Sequence, residues 1–298
     1  MKLTTTEYRQ IGKHGLGSSD AAAIMGLTER PSIADVYLRF INGRSHEDNL
    51  YMKAGRAMEP VILEQFQEET GEAITIEDVI YIHRHFDFIV TKPDALSKDT
   101  YVEAKLTTHG EAYGEPNSDA VPDYVFCQVQ HGMEVTERDY AAVPVIILDR
   151  WGTEFRVYNI AKSGIIVPQM VELERKFWNE NVLPRVPPDP HTLEDAKKLW
   201  PNSSIVSVQA TPEIQDAVTA LKEIKVELKE LSNRKEFCEL QIKKFMKDAE
   251  AVRIGNEILA TWKSNTVSRI DVTRLKADAP DIAKEFTNES TERRFLIK

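Results

Sequence analysis

The sequence predicts a mixed α/β fold, in which helices flank a central sheet and a C-terminal appendage is built on one long helix. A run of Val and Ile over residues 141–148 is typical of a strand buried on both faces. Helical periodicity over residues 31–45, 54–66 and 168–183 places helices before and after this strand. Residues 213–247 repeat apolar side chains at alternating spacings of three and four, which predicts a long helix packed along another helix.

Length and composition are those of an ordinary soluble globular protein. The chain has 298 residues, of which 42% are hydrophobic and 29% charged, which suffices for one large or two modest domains. The proline-rich segment 184–190 predicts the end of the first domain. We therefore expect a core domain over 1–190, a linker over 191–212, and the long helix with a small α+β appendage over 213–298.

Two features of the composition indicate a cytoplasmic protein that does not enter a membrane. The sequence contains no apolar run near 18 residues, and its first residues lack the apolar region of a signal peptide. Its two cysteines, Cys127 and Cys238, make a disulfide framework improbable and favour a reducing compartment. Two cysteines are also too few for the four thiolates of an iron–sulfur cluster.

The net charge of −10 is unusual for a protein that binds nucleic acid. The charge is unevenly distributed, because residues 1–58 carry eight Lys and Arg residues against six acids. Acidic residues that bind metal ions also count as negative until the metal is bound. A locally basic cleft on an acidic protein is therefore compatible with the sequence.

The first segment with candidate binding residues is the loop 15–20, which leads into the helical sequence Ala21–Met25. Ser18, Ser19 and Asp20 are favoured N-cap residues, and hydroxyls and N–H groups at a helix N-terminus suit a phosphate. A plain helix cap is the alternative interpretation. The next candidate is Glu59, which we place near the start of the helix that follows Ala54, where an acid also complements the helix dipole.

Residues 86–105 predict a β-hairpin that carries acidic residues. Residues 86–90 are β-prone, Pro93 and Asp94 end that strand, and Ser97–Asp99 is turn chemistry before a second strand at Tyr101. The predicted end of the first strand therefore carries Asp94.

Glu103 and Lys105 lie two residues apart on the second strand and so project from the same face of the sheet. Carboxylates of Asp94 and Glu103 with the backbone carbonyl of Ala104 are hard oxygen ligands that suit Mg²⁺ or Mn²⁺. A neighbouring lysine can hold an attacking water. The alternative is a surface hairpin with a cross-strand ion pair.

Downstream of the hairpin, residues 121–133 have a helical pattern that places Tyr124 and Gln128 on one face. The C-terminal third continues past the long helix with a predicted hairpin around Gly255 and Asn256, a short helix over 272–286 and a final strand over 293–297.

These motifs together resemble the PD-(D/E)XK nuclease superfamily and, within it, the YqaJ-type viral recombinase family, relatives of the phage lambda exonuclease. The resemblance covers roughly residues 8–160. No single motif is specific to the family, but the five motifs in this order are. The residues that carry it are Gly15–Gly26, Gly55-x-x-x-Glu59, Pro93-Asp94, Glu103-x-Lys105 and Tyr124-x-x-x-Gln128-x-Gln130.

The resemblance implies a metal-dependent deoxyribonuclease that digests linear double-stranded DNA from an end, in the 5′ to 3′ direction, in phage-type recombination. It implies two Mg²⁺ or Mn²⁺ ions, the first bound by Asp94, Glu103 and the Ala104 carbonyl and the second assisted by Glu59. Lys105 would position the attacking water, and Gln128 would orient the scissile phosphate or Lys105. The implied contacts to DNA and its 5′ phosphate are Ser18, Ser19, Tyr124, Gln130, Arg9 and Lys13.

Two other classes of function stay open at this point. The same fold can serve as an endonuclease or nickase, and the chain can be a non-catalytic DNA-binding or assembly protein in which the long helix carries the function. Members of the family often work beside a single-strand annealing protein. The apolar seam of the long helix therefore has three candidate partners: the core domain, a second copy of the chain in a homo-oligomer, or such an annealing protein.

Overall fold

The computed structural model describes residues 1–10, 15–43, 50–150, 152–289 and 292–297, and the chain divides into two compact units. The first unit comprises Met1–Trp200 and the second comprises Pro201–Lys298. The fold class expected from the sequence, a mixed sheet flanked by helices with a long-helix α+β unit at the C-terminus, is confirmed.

The first unit contains eight strands and seven α-helices within the described ranges. The strands are β1 (Lys2–Thr4), β2 (Val79–Ile82), β3 (Val90–Thr91), β4 (Ala95–Leu96), β5 (Thr100–Val102), β6 (Lys105–Thr107), β7 (Tyr140–Asp149) and β8 (Gly152–Ala161). The helices are α1 (Thr5–Gln10), α2 (Ala21–Ile24), α3 (Ile33–Asn42), α4 (Leu50–Thr70), α5 (Asp123–Thr136), α6 (Ile166–Lys176) and α7 (Leu193–Leu199).

Strand β7 is the centre of the main sheet. On one edge it pairs in parallel with β5 and then with β6, and on the other edge it pairs antiparallel with β8 along its whole length. Strand β4 extends the sheet by pairing antiparallel with β5. Strands β1, β2 and β3 form a separate antiparallel sheet.

Strands β5 and β6 are one strand interrupted at Glu103 and Ala104. The register against β7 is the same before and after the interruption, since Val102 faces Ala142 and Lys105 faces Val145. The interruption lies opposite Pro144, which lacks the N–H that this register would direct at the Glu103 carbonyl.

Helices α4 and α5 cover opposite faces of the main sheet, as the alternation of strand side chains requires. Tyr101 and the odd-numbered residues 141–147 of β7 pack with Val125, Val129 and Met133 of α5. Val102, Ala104 and Ala142 pack with Ile62, Leu63 and Phe66 of α4. Glu103 and Lys105 have the same parity as Tyr101 and therefore face α5.

The second unit consists of α8 (Pro212–Met246), the hairpin β9 (Ala251–Ile254) and β10 (Glu257–Thr261), and two short helices, α9 (Val272–Asp278) and α10 (Pro280–Glu285). Met246 is the only buried residue among those the structure describes in this unit. No helix of the described chain combines the length and apolarity that crossing a membrane requires.

The structure differs from four sequence-based expectations. Residues 86–89 are not a strand, because Phe86 stacks on His83 and Phe88 stacks on Trp178 at 4.8 Å, which holds these aromatic rings in a loop. Glu59 lies in the middle of α4 rather than near the start of a helix. Residues 292–297 form no strand, since no neighbouring strand among the described residues pairs with them.

The fourth difference concerns the predicted linker 191–212. It begins with helix α7, which belongs to the first unit. Asp195 of α7 accepts a hydrogen bond from Ser32 at 2.5 Å, and Lys198 forms an ion pair with Asp35 at 2.7 Å. Helix α7 is therefore held against the N-terminal end of α3 and extends the first unit to Trp200.

Candidate active site

Three side chains from three elements converge at the interruption between β5 and β6. Lys105 Nζ donates to Glu103 Oε1 at 2.7 Å and to Gln128 Oε1 at 2.8 Å. Gln128 Nε2, from α5, donates to Glu103 Oε1 at 2.5 Å. Each pair is bonded, so the three side chains fix one another's orientation.

Asp94 joins this group from the adjacent edge of the sheet, directly before β4. Its Oδ2 accepts a hydrogen bond from the backbone N–H of Ala104 at 2.8 Å. Ala104 thus directs its N–H to the edge where Asp94 lies. Asp94 Oδ1 has no hydrogen-bond partner among the described residues.

Burial and the charge of Glu103 raise the pKa values of the two neighbouring acids, Asp94 and Glu59. Burial, and then the negative charge of Glu103, raise the pKa of Asp94 well above its usual range. Burial and the charge of Glu103 also raise the pKa of Glu59, which approaches from α4. Burial alone would lower the pKa of Lys105, but the carboxylates of Glu103 and Asp94 outweigh it and raise that pKa. Lys105 is therefore protonated at neutral pH.

The second oxygen of Glu103 is held by a series of buried hydroxyls. Tyr101 donates to Glu103 Oε2 at 2.9 Å, the Tyr101 hydroxyl lies 3.3 Å from Thr91 Oγ1, and Thr91 Oγ1 lies 2.6 Å from Ser18 Oγ. Burial, and next the charge of Glu103, raise the pKa of Tyr101 well above its usual range, so its hydroxyl keeps its proton.

Helix α5 is placed close to this group because Gly132 packs against the Tyr101 ring. A Cβ atom at position 132 would lie 2.3 Å from Tyr101 Cζ, far inside van der Waals contact. The glycine thus lets α5 approach β5. One turn before Gly132, Gln128 reaches Glu103. Tyr124 lies one further turn before Gln128 on the same face and is 46% exposed.

Several predicted binding residues do not face this site. Ser18 is buried and bonded to Thr91, so it is not a surface ligand for phosphate. Gln130 is fully buried and bonds the Ala161 carbonyl and the Ser163 N–H, which joins α5 to the end of β8. Ser19 is exposed. Lys13 lies outside the described residues, as does the side chain of Arg9.

Sequence reasoning missed three residues around the site. Tyr101 has the same parity as Glu103 and Lys105, and that alternation could have identified it. Thr91 and Arg39 carry no such signal, since their partners are remote in the chain. Arg39 forms an ion pair with the buried Asp20 at 2.6 Å and so supports the loop that contains Ser18.

The donor set suits a hard divalent cation. Asp94, Glu103 and Glu59 bring three carboxylates toward one lysine, and burial together with the charge of Glu103 raises the pKa values of Asp94 and Glu59. Carboxylate and carbonyl oxygens are the ligands that Mg²⁺ and Mn²⁺ prefer. Within the described residues, however, no three acidic, His or Cys side chains form a complete ligand shell. Asp94, Glu103 and the Ala104 carbonyl are the residues that would hold such an ion.

The chain is similar to one known domain family and to one curated protein. The model of the YqaJ-like viral recombinase domain matches residues 7–139, which include Asp94, Glu103, Lys105 and Gln128. Over 310 aligned positions the chain is 27% identical to the uncharacterized protein YqaJ of Bacillus subtilis (strain 168), with 100% of this chain and 95% of that protein covered.

Two solved exonuclease structures also align with this chain. An alkaline exonuclease from Laribacter hongkongensis aligns with a TM-score of 0.48 and 19% identity, over 59% of this chain and 92% of that one. A phage-related exonuclease from Haemophilus somnus 129PT aligns with a TM-score of 0.41 and 12% identity, over 58% of this chain and 97% of that one.

Proposed function

We propose that this protein is a metal-dependent deoxyribonuclease that digests linear double-stranded DNA from an end, in the 5′ to 3′ direction, during phage-type recombination. The observation that carries the proposal is the bonded group of Glu103, Lys105 and Gln128 beside Asp94 in a YqaJ-like domain. Glu103 is only 5% exposed. Such burial is not expected of the alternative, a surface hairpin with a cross-strand ion pair.

The two carboxylates and the Ala104 carbonyl would bind Mg²⁺ or Mn²⁺, with Glu59 placed to assist a second ion. Such ions stabilise negative charge on the attacking and leaving oxygens of an in-line displacement at phosphorus. Glu103 can serve as a ligand only in the orientation that Lys105, Gln128 and Tyr101 impose on it. These three partners therefore act as positioning groups.

Lys105 would act as a hydrogen-bond donor and a positive charge beside the metal, since its Nζ already donates to two neighbours. Its ammonium group has three N–H bonds. Two of them are directed at Glu103 and Gln128. The third can hold the oxygen of an attacking water or of the scissile phosphate.

Recognition of the 5′ end would rest on Ser19, which is exposed in the turn before α2 while Ser18 is buried. The prediction is that Ser19→Ala lowers the preference for 5′-phosphorylated over 5′-hydroxyl duplex more than it lowers cleavage. Equal cleavage of both duplexes by the wild-type protein would exclude a phosphate site here.

The second unit presents a surface suited to self-association, and we assign it to a second copy of the chain. The a and d positions of α8 include Leu228, with 60% of its side chain exposed, and Leu231, with 55% exposed. If two copies of α8 pair in parallel and in register, Arg234 at a g position faces Glu239 at the following e position of the other helix. These opposite charges attract each other. The core domain and an annealing protein are the alternative occupants.

The decisive experiment compares linear with covalently closed circular duplex in the presence of Mg²⁺. We expect loss of linear DNA only, with product release from the 5′ end of end-labelled substrate, and no cleavage after addition of a chelator. Cleavage of the circle would instead support an endonuclease or nickase. DNA binding without cleavage, unchanged in Lys105→Ala, would support an assembly protein.

A further inference from the structure

Ser18, Thr91, Tyr101 and Glu103 form a continuous hydrogen-bonded series that crosses the core of the first unit. All four are buried, with exposures of 8%, 1%, 0% and 5%. The series begins in the turn before α2, passes through the last residue of β3 in the small sheet, and ends at the carboxylate beside β5 in the main sheet. It therefore joins three separate parts of the fold.

The carboxylate at its end determines the direction of every bond in the series. An ionised carboxylate only accepts, so the Tyr101 hydroxyl donates its single proton to Glu103 Oε2. Tyr101 must then accept from Thr91, and Thr91, whose proton is thereby used, must accept from Ser18. The hydroxyl proton of Ser18 is thus committed to Thr91, which explains why Ser18 cannot donate it to a phosphate.

Resting on the function proposed above, we propose that Ser18, Thr91 and Tyr101 are positioning residues that fix the Glu103 carboxylate for metal binding. Lys105 and Gln128 both bond Oε1, whereas Tyr101 is the only donor to Oε2 among the described residues. Removing the Tyr101 hydroxyl leaves the carboxylate held through one oxygen only. Outer partners of metal ligands typically contribute about 10- to 100-fold to metal affinity.

The test is calorimetric titration of the full-length chain with Mn²⁺. Tyr101→Phe keeps the ring that fills the space beside Gly132 and should raise the Kd for Mn²⁺ about tenfold. Thr91→Val should raise it less, because Tyr101 still donates to Glu103 but is no longer oriented. Ser18→Ala should have the smallest effect, since it acts through two intervening hydroxyls.

Tyr158→Phe is the matched control. Tyr158 is also 0% exposed, lies in the same core cluster, and donates its hydroxyl to the Gly114 carbonyl at 2.9 Å, away from Glu103. Both tyrosine variants should lose comparable stability to urea, whereas only Tyr101→Phe should bind Mn²⁺ more weakly.

Three results would overturn the proposal: a Kd for Tyr101→Phe within twofold of wild type, an equal rise in Tyr158→Phe, or no Mn²⁺ binding by the wild-type protein. If Tyr101→Phe does not fold, an unchanged Kd in folded Thr91→Val overturns the proposal.

Cleavage assays separate failure of the positioning role from failure of the proposed nuclease activity. An inactive wild type whose Mn²⁺ affinity falls in Tyr101→Phe contradicts only the activity, while an active wild type unaffected by Tyr101→Phe contradicts only the positioning role.

Discussion

Asp94 has two roles at the residue scale, and a test of its function must separate them. Its Oδ2 accepts the Ala104 N–H, so Asp94→Ala removes both a proposed metal ligand and a backbone hydrogen bond. Asp94→Asn keeps an acceptor of the same size but removes the charge. We expect Asp94→Asn to abolish cleavage, to weaken Mn²⁺ binding by at least about tenfold, and to keep a wild-type unfolding midpoint.

The control for Asp94→Asn is Asp99→Asn in the β4–β5 turn, which should cut DNA like wild type. Glu103→Gln should behave like Asp94→Asn in cleavage. Normal cleavage by Asp94→Asn would remove this carboxylate from the site.

Glu134 contributes stability that depends on pH. Hydrogen bonding with His83 at 3.2 Å, together with Lys162 at 2.7 Å, lowers the pKa of Glu134 to about 2. A depressed carboxyl pKa stabilises the fold above the group's ordinary value near 4.5, and this contribution is lost as pH falls from there toward 2.

Glu134→Gln should therefore lose on the order of 1 kcal/mol of unfolding free energy at pH 7, because partial solvent exposure screens the pairs. The difference from wild type should shrink between pH 4.5 and pH 2 in urea denaturation. Glu69→Gln, at an exposed position of α4, should show no such pH dependence. A constant difference for Glu134→Gln over this range would contradict the assignment.

At the scale of elements, the approach of α5 to β5 depends on one glycine. A methyl group at position 132 would overlap the Tyr101 ring, so Gly132→Ala should destabilise the protein by about 1–3 kcal/mol. Gly55→Ala is the matched change in α4, where an added Cβ meets no atom within 4 Å. That variant should gain about 0.5–1 kcal/mol from helix propensity. Urea denaturation of the two variants measures both effects, and equal stabilities would refute the close approach.

The elements that carry the site were predictable where a periodic pattern was present. Alternation placed Glu103 and Lys105 on one face, and the structure joins them at 2.7 Å. The spacing of Tyr124 and Gln128 likewise gave one face of α5. The β propensity of Phe86 and Phe88 misled, because in the structure their rings stack on His83 and Trp178 in a loop. The bond between Ser18 and Thr91 joins positions 73 residues apart, and no local pattern encodes it.

At the scale of the whole molecule, helix α7 decides where the first unit can be separated. A chain ending at Trp200 keeps the bonds from Asp195 to Ser32 and from Lys198 to Asp35. A chain ending at Pro190 loses both and exposes the apolar surface under α7. We expect the longer fragment to fold and to cut linear DNA, and the shorter one to be less stable by about 2 kcal/mol or more. Thermal unfolding of the two fragments is the measurement, and identical midpoints would contradict the assignment of α7 to this unit.

Self-association through α8 can be tested by two substitutions at equally exposed positions. Leu228 and Val226 each have 60% of the side chain exposed, but only Leu228 lies on the heptad seam. Leu228→Glu should reduce the molar mass in light scattering to that of a single chain, while Val226→Glu should leave it unchanged. Cys238 is exposed and occupies a d position, so mild oxidation should cross-link two copies at this residue. Cys127 should not react, because burial raises the pKa of its thiol to about 11. A wild-type protein of single-chain mass would exclude the second copy and leave the core domain or a different protein as the partner.

The apolar residues that lie uncovered in the second unit also affect how long the protein survives in a cell. Chaperones and proteases bind exposed apolar segments, so chains with such segments are removed faster. Under the proposed self-association, unassembled copies display these residues and assembled copies hide them. Turnover would then remove solitary chains selectively, and the amount of active enzyme would rise more steeply than the rate of its synthesis.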